Sequence, residues 1–130
     1  MPMPIHTTNQ KMAREAYSRI TRRKPGEQYR SFAREFPMLV HGCGLAQAVA
    51  FALAKGEHRQ EYVDDLAAVL RRAGWEQMAD ARRLSQEACN QPVTQYLRLS
   101  RNVLAAAVWL KHYVEAAAAP GTMHPWSAGD

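Results

Sequence analysis

Apolar residues along this chain recur every three or four positions and almost nowhere alternate, the period of helices packed on one face rather than of strands. A first helix follows Thr7-Thr8-Asn9, any of which can cap it, and runs to about residue 22. Met12, Ala16 and Ile20 share its inner face, with Ala13 and Tyr17 beside them. Lys11, Arg14, Ser18 and Arg22 lie opposite. Pro25-Gly26 breaks the chain. A short second helix over 27–36 turns Tyr29, Phe32, Ala33 and Phe36 inward and ends at Pro37, because the residue before a proline is pushed out of the helical region. Pro37 then suits the first turn of a third helix over 38–55, closed by Gly56. The fourth, over 58–73, presents Tyr62, Leu66, Val69, Leu70 and Ala73 to the interior. Gly74 leads into a fifth over 75–89, stopped by Asn90-Gln91-Pro92. The sixth runs from residue 93 to about 118 and places Val93, Leu97 and Leu104 on one face. From Val103 to Trp109 it is apolar all round, which requires contacts on more than one side.

Six helices without an internal repeat or linker predict an all-α fold, one bundle spanning residues 1–130 with frayed ends at 1–8 and 119–130. A single domain of this length buries roughly two thirds of its unfolded surface and needs no staples. Cys43 and Cys89 form neither a disulfide framework nor a CxxC knuckle. The start, MPMPIH, lacks a basic-then-apolar leader, so a cytoplasmic location is expected.

The stretch FPMLVHGCGLAQAVAFALAKG, residues 36–56, has no charge before Lys55 and invites four readings. As a membrane span it is broken by Pro37, Gly42, Gly44 and polar His41 and Gln47. As a dinucleotide loop it lacks both a preceding strand and the third glycine. As a metal site it fails because His41 and Cys43, two apart on a helix, diverge by about 200°, and His6, His58, His112 and His124 are scattered. No metal and no cofactor is expected. A buried core helix remains, with Cys43 structural and Gly42 and Gly44 admitting a neighbouring helix closely. Asp64-Asp65 diverge on the fourth helix, and no carboxylate pair suits acid–base catalysis.

The net charge of +5 favours acidic partners, most simply phosphodiesters. Its cations cluster as Arg19, Arg22, Arg23, Lys24, Arg30 and Arg34 around the first break, Arg71-Arg72, Arg82-Arg83, and Arg98 with Arg101. On helix faces such side chains are commonly solvated stems. As a stripe they would track a nucleic-acid backbone without reading its sequence. The candidate nucleic-acid contacts are Lys11, Arg14, Arg22, Arg23 and Lys24 on the first helix, with Arg71 and Arg72 as a second cluster. An alternative is a free-standing DNA-binding regulator using residues 66–86 as a helix-turn-helix, against which Glu76 and Asp80 fall where DNA would approach. A small enzyme built on Cys43 is a third reading without a nameable reaction.

One resemblance narrows these. Tyr29-x-x-x-Ala33, Phe36-Pro37, Gly44-Leu45-x-Gln47 and Ala50-Phe51 resemble the small helical subunit of the type III-B CRISPR effector, the Cmr complex. Tyr96, Ser100, Leu104 and Trp109-Leu110-Lys111 match its last helix, so the likeness covers about residues 10–117. Gly42-Cys43 departs from the larger or polar residues common there. The resemblance implies a six-helix subunit without a catalytic site. Copies of it would form the inner, minor filament of an RNA-guided complex in antiviral defence. Its partners would be the repeated backbone subunit, the large polymerase-like subunit and further copies of itself. It would lie beside the guide RNA and target RNA and touch no membrane.

Overall fold

A computed structural model describes residues 6–54 and 56–118, which hold six helices and, among the described residues, no strand. The expected frayed ends fall mostly outside them, although Thr7 and Thr8 already belong to the start of α1, Thr8–Arg23. Thr7 closes a capping box: its Oγ1 accepts from Gln10 N at 3.0 Å, and Gln10 Oε1 accepts from Thr7 N at 2.8 Å. Met12, Ala16 and Ile20 are buried, as their spacing requires.

α2, Glu27–Cys43, corrects the sequence reading, for it runs straight through Pro37. An interior proline removes one backbone hydrogen bond and costs about 3 kcal/mol in an isolated helix. Here one apolar stripe continues across it: Tyr29, Phe32, Ala33, Phe36 and Val40 are all buried. Tyr62 of α4, Glu57–Arg72, sets its ring 5.6, 5.4 and 5.2 Å from those of Tyr29, Phe32 and Phe36. Ending the helix at Phe36 would turn Val40 out of that stripe, so tertiary packing overrides the local preference. The true stop is Gly44, with φ +86° and ψ 162°, a conformation nearly confined to glycine. α3, Leu45–Ala54, begins directly after it.

The expected roles of the uncharged stretch change accordingly. A Cβ on Gly42 would meet nothing within 4 Å, and one on Gly44 would meet Tyr96 Oη at an ordinary 3.5 Å. Neither glycine admits a close helix; Gly44 is required by its backbone angles. Cys43 is exposed rather than core. Met38 is 73% and Phe51 41% exposed.

The helix in the middle is α4, which packs against all five others. Residues 73–80 follow it, irregular but anchored by buried Trp75 and Met78, where the sequence suggested more helix. Asp80 caps α5, Ala81–Asn90, through its Oδ1 and the Arg83 N–H at 2.9 Å. Asp favours caps over helix interiors, which is why the helix starts there. A helix-turn-helix uses a turn of three or four residues; this connection is twice as long, which weakens that alternative. α6, Val93–Ala118, lies across α1, α2 and α4. Its inward set is Leu99, Val103, Ala106, Ala107, Leu110 and Val114, not the expected Val93–Leu97–Leu104 face. Val93 is 75% and Leu97 55% exposed, whereas Leu104 is half-buried against the core.

Candidate nucleic-acid interface

Lys11, Arg14, Ser18 and Arg22 recur at spacings of three and four, so they form one ridge along the outer side of α1, roughly 16 Å long. Lys11 and Arg22 are exposed, as is Lys24 just beyond the helix end. Arg14 is exposed and its Nη1 meets His6 Nε2 at 2.9 Å beside a cleft of about 500 Å³. Arg22 Nε donates to the Ser18 carbonyl at 3.4 Å, its one hydrogen bond among the described residues.

Arg23 is built differently although it adjoins Arg22 in sequence. Its Nε and Nη2 donate to Asp65 of α4 at 2.6 and 2.9 Å, and its Nη1 lies 3.4 Å from Glu61. Arg19, one turn earlier, donates through Nε to Asp65 Oδ1 at 2.8 Å. Tyr29 of α2 donates its hydroxyl to Asp65 Oδ2. Asp65 is fully buried, and these four hydrogen bonds occupy both of its oxygens. A buried carboxylate persists only when paired and hydrogen-bonded in this way. The hydrogen bond to Asp65 holds Arg23 still more firmly protonated than usual. Burial, reinforced by the Asp65 charge, raises the Tyr29 hydroxyl well above its ordinary pKa.

Arg71 and Arg72 also part company. Arg71 Nη1 donates to the carbonyls of Met78 and Ala79 at 2.7 and 2.9 Å and ties down residues 73–80. Arg72 is exposed, its Nε 3.7 Å from Glu15. Of the seven residues expected to touch nucleic acid, the structure thus brings Lys11, Arg14 and Arg22 to one outer face and leaves Lys24 exposed just beyond the helix end. Arg72 reaches Glu15 of that helix, α1, and Arg23 and Arg71 have protein partners.

Sequence reasoning missed the tie between α1 and α4. Its signal was present, since Asp65 stands between inward Tyr62 and Leu66 at helical spacing and therefore inside the buried stripe. Asp64, one residue earlier, points elsewhere and accepts from Ala81 N at 2.7 Å, the divergence expected of adjacent carboxylates. Cys43 Sγ donates to the Leu39 carbonyl at 3.2 Å. Among the described residues no three His, Cys, Asp or Glu side chains converge as for a metal ion. No described helix is long and apolar enough to cross a membrane.

The geometry defines an all-α bundle with a cationic outer face. The family model for a CRISPR-associated protein, Cas_Cmr5, matches residues 8–117. The CRISPR system Cmr subunit Cmr5 of Thermus thermophilus is 38% identical over 116 residues, covering 86% of this chain and 96% of that protein. The X-ray structure of a CRISPR-associated Cmr5 family protein from the same organism superposes with a TM-score of 0.78 at 37% identity. It covers 88% of this chain and 100% of that one. The chain belongs to the Cmr5 family, the small subunit of the type III-B Cmr system. Two of the family-like motifs meet in space: the Tyr96 hydroxyl accepts from Ala46 N at 3.2 Å, beside the Gly44 corner.

Proposed function

We propose that this chain is a non-catalytic, cytoplasmic subunit that lines the guide–target RNA duplex of the Cmr effector in antiviral defence. Copies of it form the inner, minor filament beside the repeated backbone subunit and the large polymerase-like subunit. The observation that carries the reading is the ridge of Lys11, Arg14 and Arg22 along α1, with Lys24 exposed just beyond the helix end. Exposed cations in a row neutralise successive phosphates and release counterions without reading bases. Membership of the family supports the assembly, and the ridge supplies a face for its RNA. Arg23, Arg71 and Arg72 stay in the proposed set, although Arg23 is held by Asp65 and Arg71 by the Met78 and Ala79 carbonyls. The cleft between the starts of α2 and α4 carries Glu27, Glu35 and Glu57, a sign of charge unsuited to RNA.

The test is target-RNA binding by a reconstituted Cmr complex carrying this chain with Lys11, Arg14, Arg22 and Lys24 changed together to Gln. Affinity should fall, and the salt dependence should flatten by about 0.7–0.9 for each phosphate that is no longer neutralised. Unchanged affinity and slope would refute the RNA-facing assignment of α1.

A further inference from the structure

The Asp65 network does more than hold α1 to α4. Arg19, Arg22, Arg23 and Asp65 line a cleft of about 240 Å³ open to solvent. Arg23 and Tyr29 already supply three of the four hydrogen bonds that Asp65 accepts. Arg19 adds only its Nε contact and keeps a side chain 27% exposed. Its Nη1 and Nη2 have no protein partner among the described residues, and the same holds for those of Arg22. A guanidinium gripped through Nε keeps its outer N–H edge in a fixed plane, the fork that matches two oxygens of a phosphate. Ordering a free arginine costs up to about 2 kcal/mol of rotamer freedom; Asp65 has already restricted Arg19.

We propose that this cleft is a phosphodiester subsite, with Arg19 and Arg22 as its ligating residues and Asp65 as the positioning residue behind them. The inference rests on the RNA-facing reading of α1 and says where on that face a phosphate is gripped most firmly. Charge favours an anion: three guanidiniums stand against Asp65 and the half-exposed Glu61, leaving one positive charge. Continuity favours a polyanion over a single acidic side chain. The cleft lies at the end of the Lys11–Arg14–Arg22 ridge, so a backbone running along α1 reaches it with its next phosphate.

The experiment uses the full chain, a fluorescein-labelled oligouridylate at low salt, and NMR of the arginine Nε–H signals. Arg22→Gln changes an exposed side chain and keeps the fold; RNA affinity should fall about tenfold, a loss of about 1.4 kcal/mol. The salt slope should fall by about 0.7. Arg19→Lys keeps a cation beside Asp65 without the fork, so its affinity should drop by a similar factor in a folded chain. Asp65→Asn should weaken binding through misplaced arginines; if it does not fold, the other two variants decide. In the parent, RNA should shift the Arg19 and Arg22 Nε–H signals. Parental affinity and slope in both Arg22→Gln and Arg19→Lys overturn the subsite. If Lys11→Gln and Arg14→Gln then still weaken binding, the wider RNA-facing reading survives. If the arginine variants spare RNA binding but block incorporation into the Cmr complex, the cleft takes an acidic protein partner and the proposal falls. A parent chain that binds no RNA overturns the subsite and the RNA-facing reading of α1 together.

Discussion

The uncharged corner formed by the end of α2 and by α3 buries only one face, with Val40, Leu45, Ala48, Val49 and Ala52, whereas the charge-rich α4 buries a wider arc. Between Phe36 and Ala54 no residue is charged, yet Met38, His41, Gly42, Cys43, Gln47, Ala50 and Phe51 face solvent. α4 carries Glu57, Arg59, Glu61, Asp64, Asp65, Arg71 and Arg72, yet it touches every other helix. Average hydrophobicity reports how a segment would partition as a whole. Burial is decided by the arc of a helix that neighbours cover, and α4 places Tyr62, Val63, Leu66, Ala67, Val69 and Leu70 on a wide buried arc. Asp65 falls inside that arc and is satisfied by α1 and α2.

The largest effect should come from breaking the charged member of the central helix. Asp65→Ala leaves Arg19, Arg23 and Tyr29 without their acceptor, and removing one partner of a buried ion pair costs about 3–5 kcal/mol. A thermal or urea melt should show this, whereas Met38→Gln in the apolar corner should stay within about 0.5 kcal/mol. Equal losses at the two positions would erase the contrast between the regions.

Alkaline pH probes the same centre. Burial raises Tyr29 and Tyr62 well above the ordinary tyrosine value and lifts Tyr113 to about 12. Each hydroxyl stays protonated in the folded chain and ionises near 10 once unfolded. The unfolded state therefore binds fewer protons above pH 10, and stability must fall as pH rises. The contribution is complete below pH 10. It declines by about 1.4 kcal/mol per pH unit for each raised tyrosine until the folded group itself ionises. Urea unfolding at pH 9 to 11.5 measures the slope, and Tyr62→Phe should make it shallower. A flat profile over that range would show that these rings are not shielded.

Much of this was legible in the sequence, and the misreadings share a cause. The N-terminal cap of α1 and the inward residues of α1, α2 and α4 follow from local spacing, since each helix has one dominant stripe. Pro37 misled because its cost is local while the compensation comes from Tyr62, twenty-five residues away in sequence. Residues 75–80 misled because Trp75, Met78 and Ala81 imitate a helical period, although their backbone is not helical up to Asp80. Among the cations, Arg22 and Arg23 are neighbours in sequence but lie about 100° apart on α1. One therefore reaches solvent and the other Asp65. Sequence clusters of arginine name a region; the direction of each side chain needs the partner helix.

Within the apolar corner the two glycines should respond in opposite directions. Gly44 holds φ +86° and ψ 162°, so Gly44→Ala should destabilise the chain by roughly 1–3 kcal/mol. The loss has a backbone cause, because Tyr96 Oη at 3.5 Å leaves room for a methyl group. Gly44→Ser should therefore cost about as much as Gly44→Ala, and a cost that rose mainly with side-chain volume would instead point to crowding.

Gly42 gives the smallest effect and the opposite sign. It lies inside α2, one turn above Met38, with open space where a Cβ would stand. A helix-interior glycine is worse than alanine by about 0.5–1 kcal/mol, mainly through the backbone entropy of the unfolded chain. Gly42→Ala should raise stability by that amount and leave the Gly44 corner intact. It should also add to Pro37→Ala, since the two changes act on separate backbone groups of one continuous helix. If Gly42→Ala were destabilising, the last turn of α2 would not be helical and the chain would break before Gly42, as the proline alone suggests.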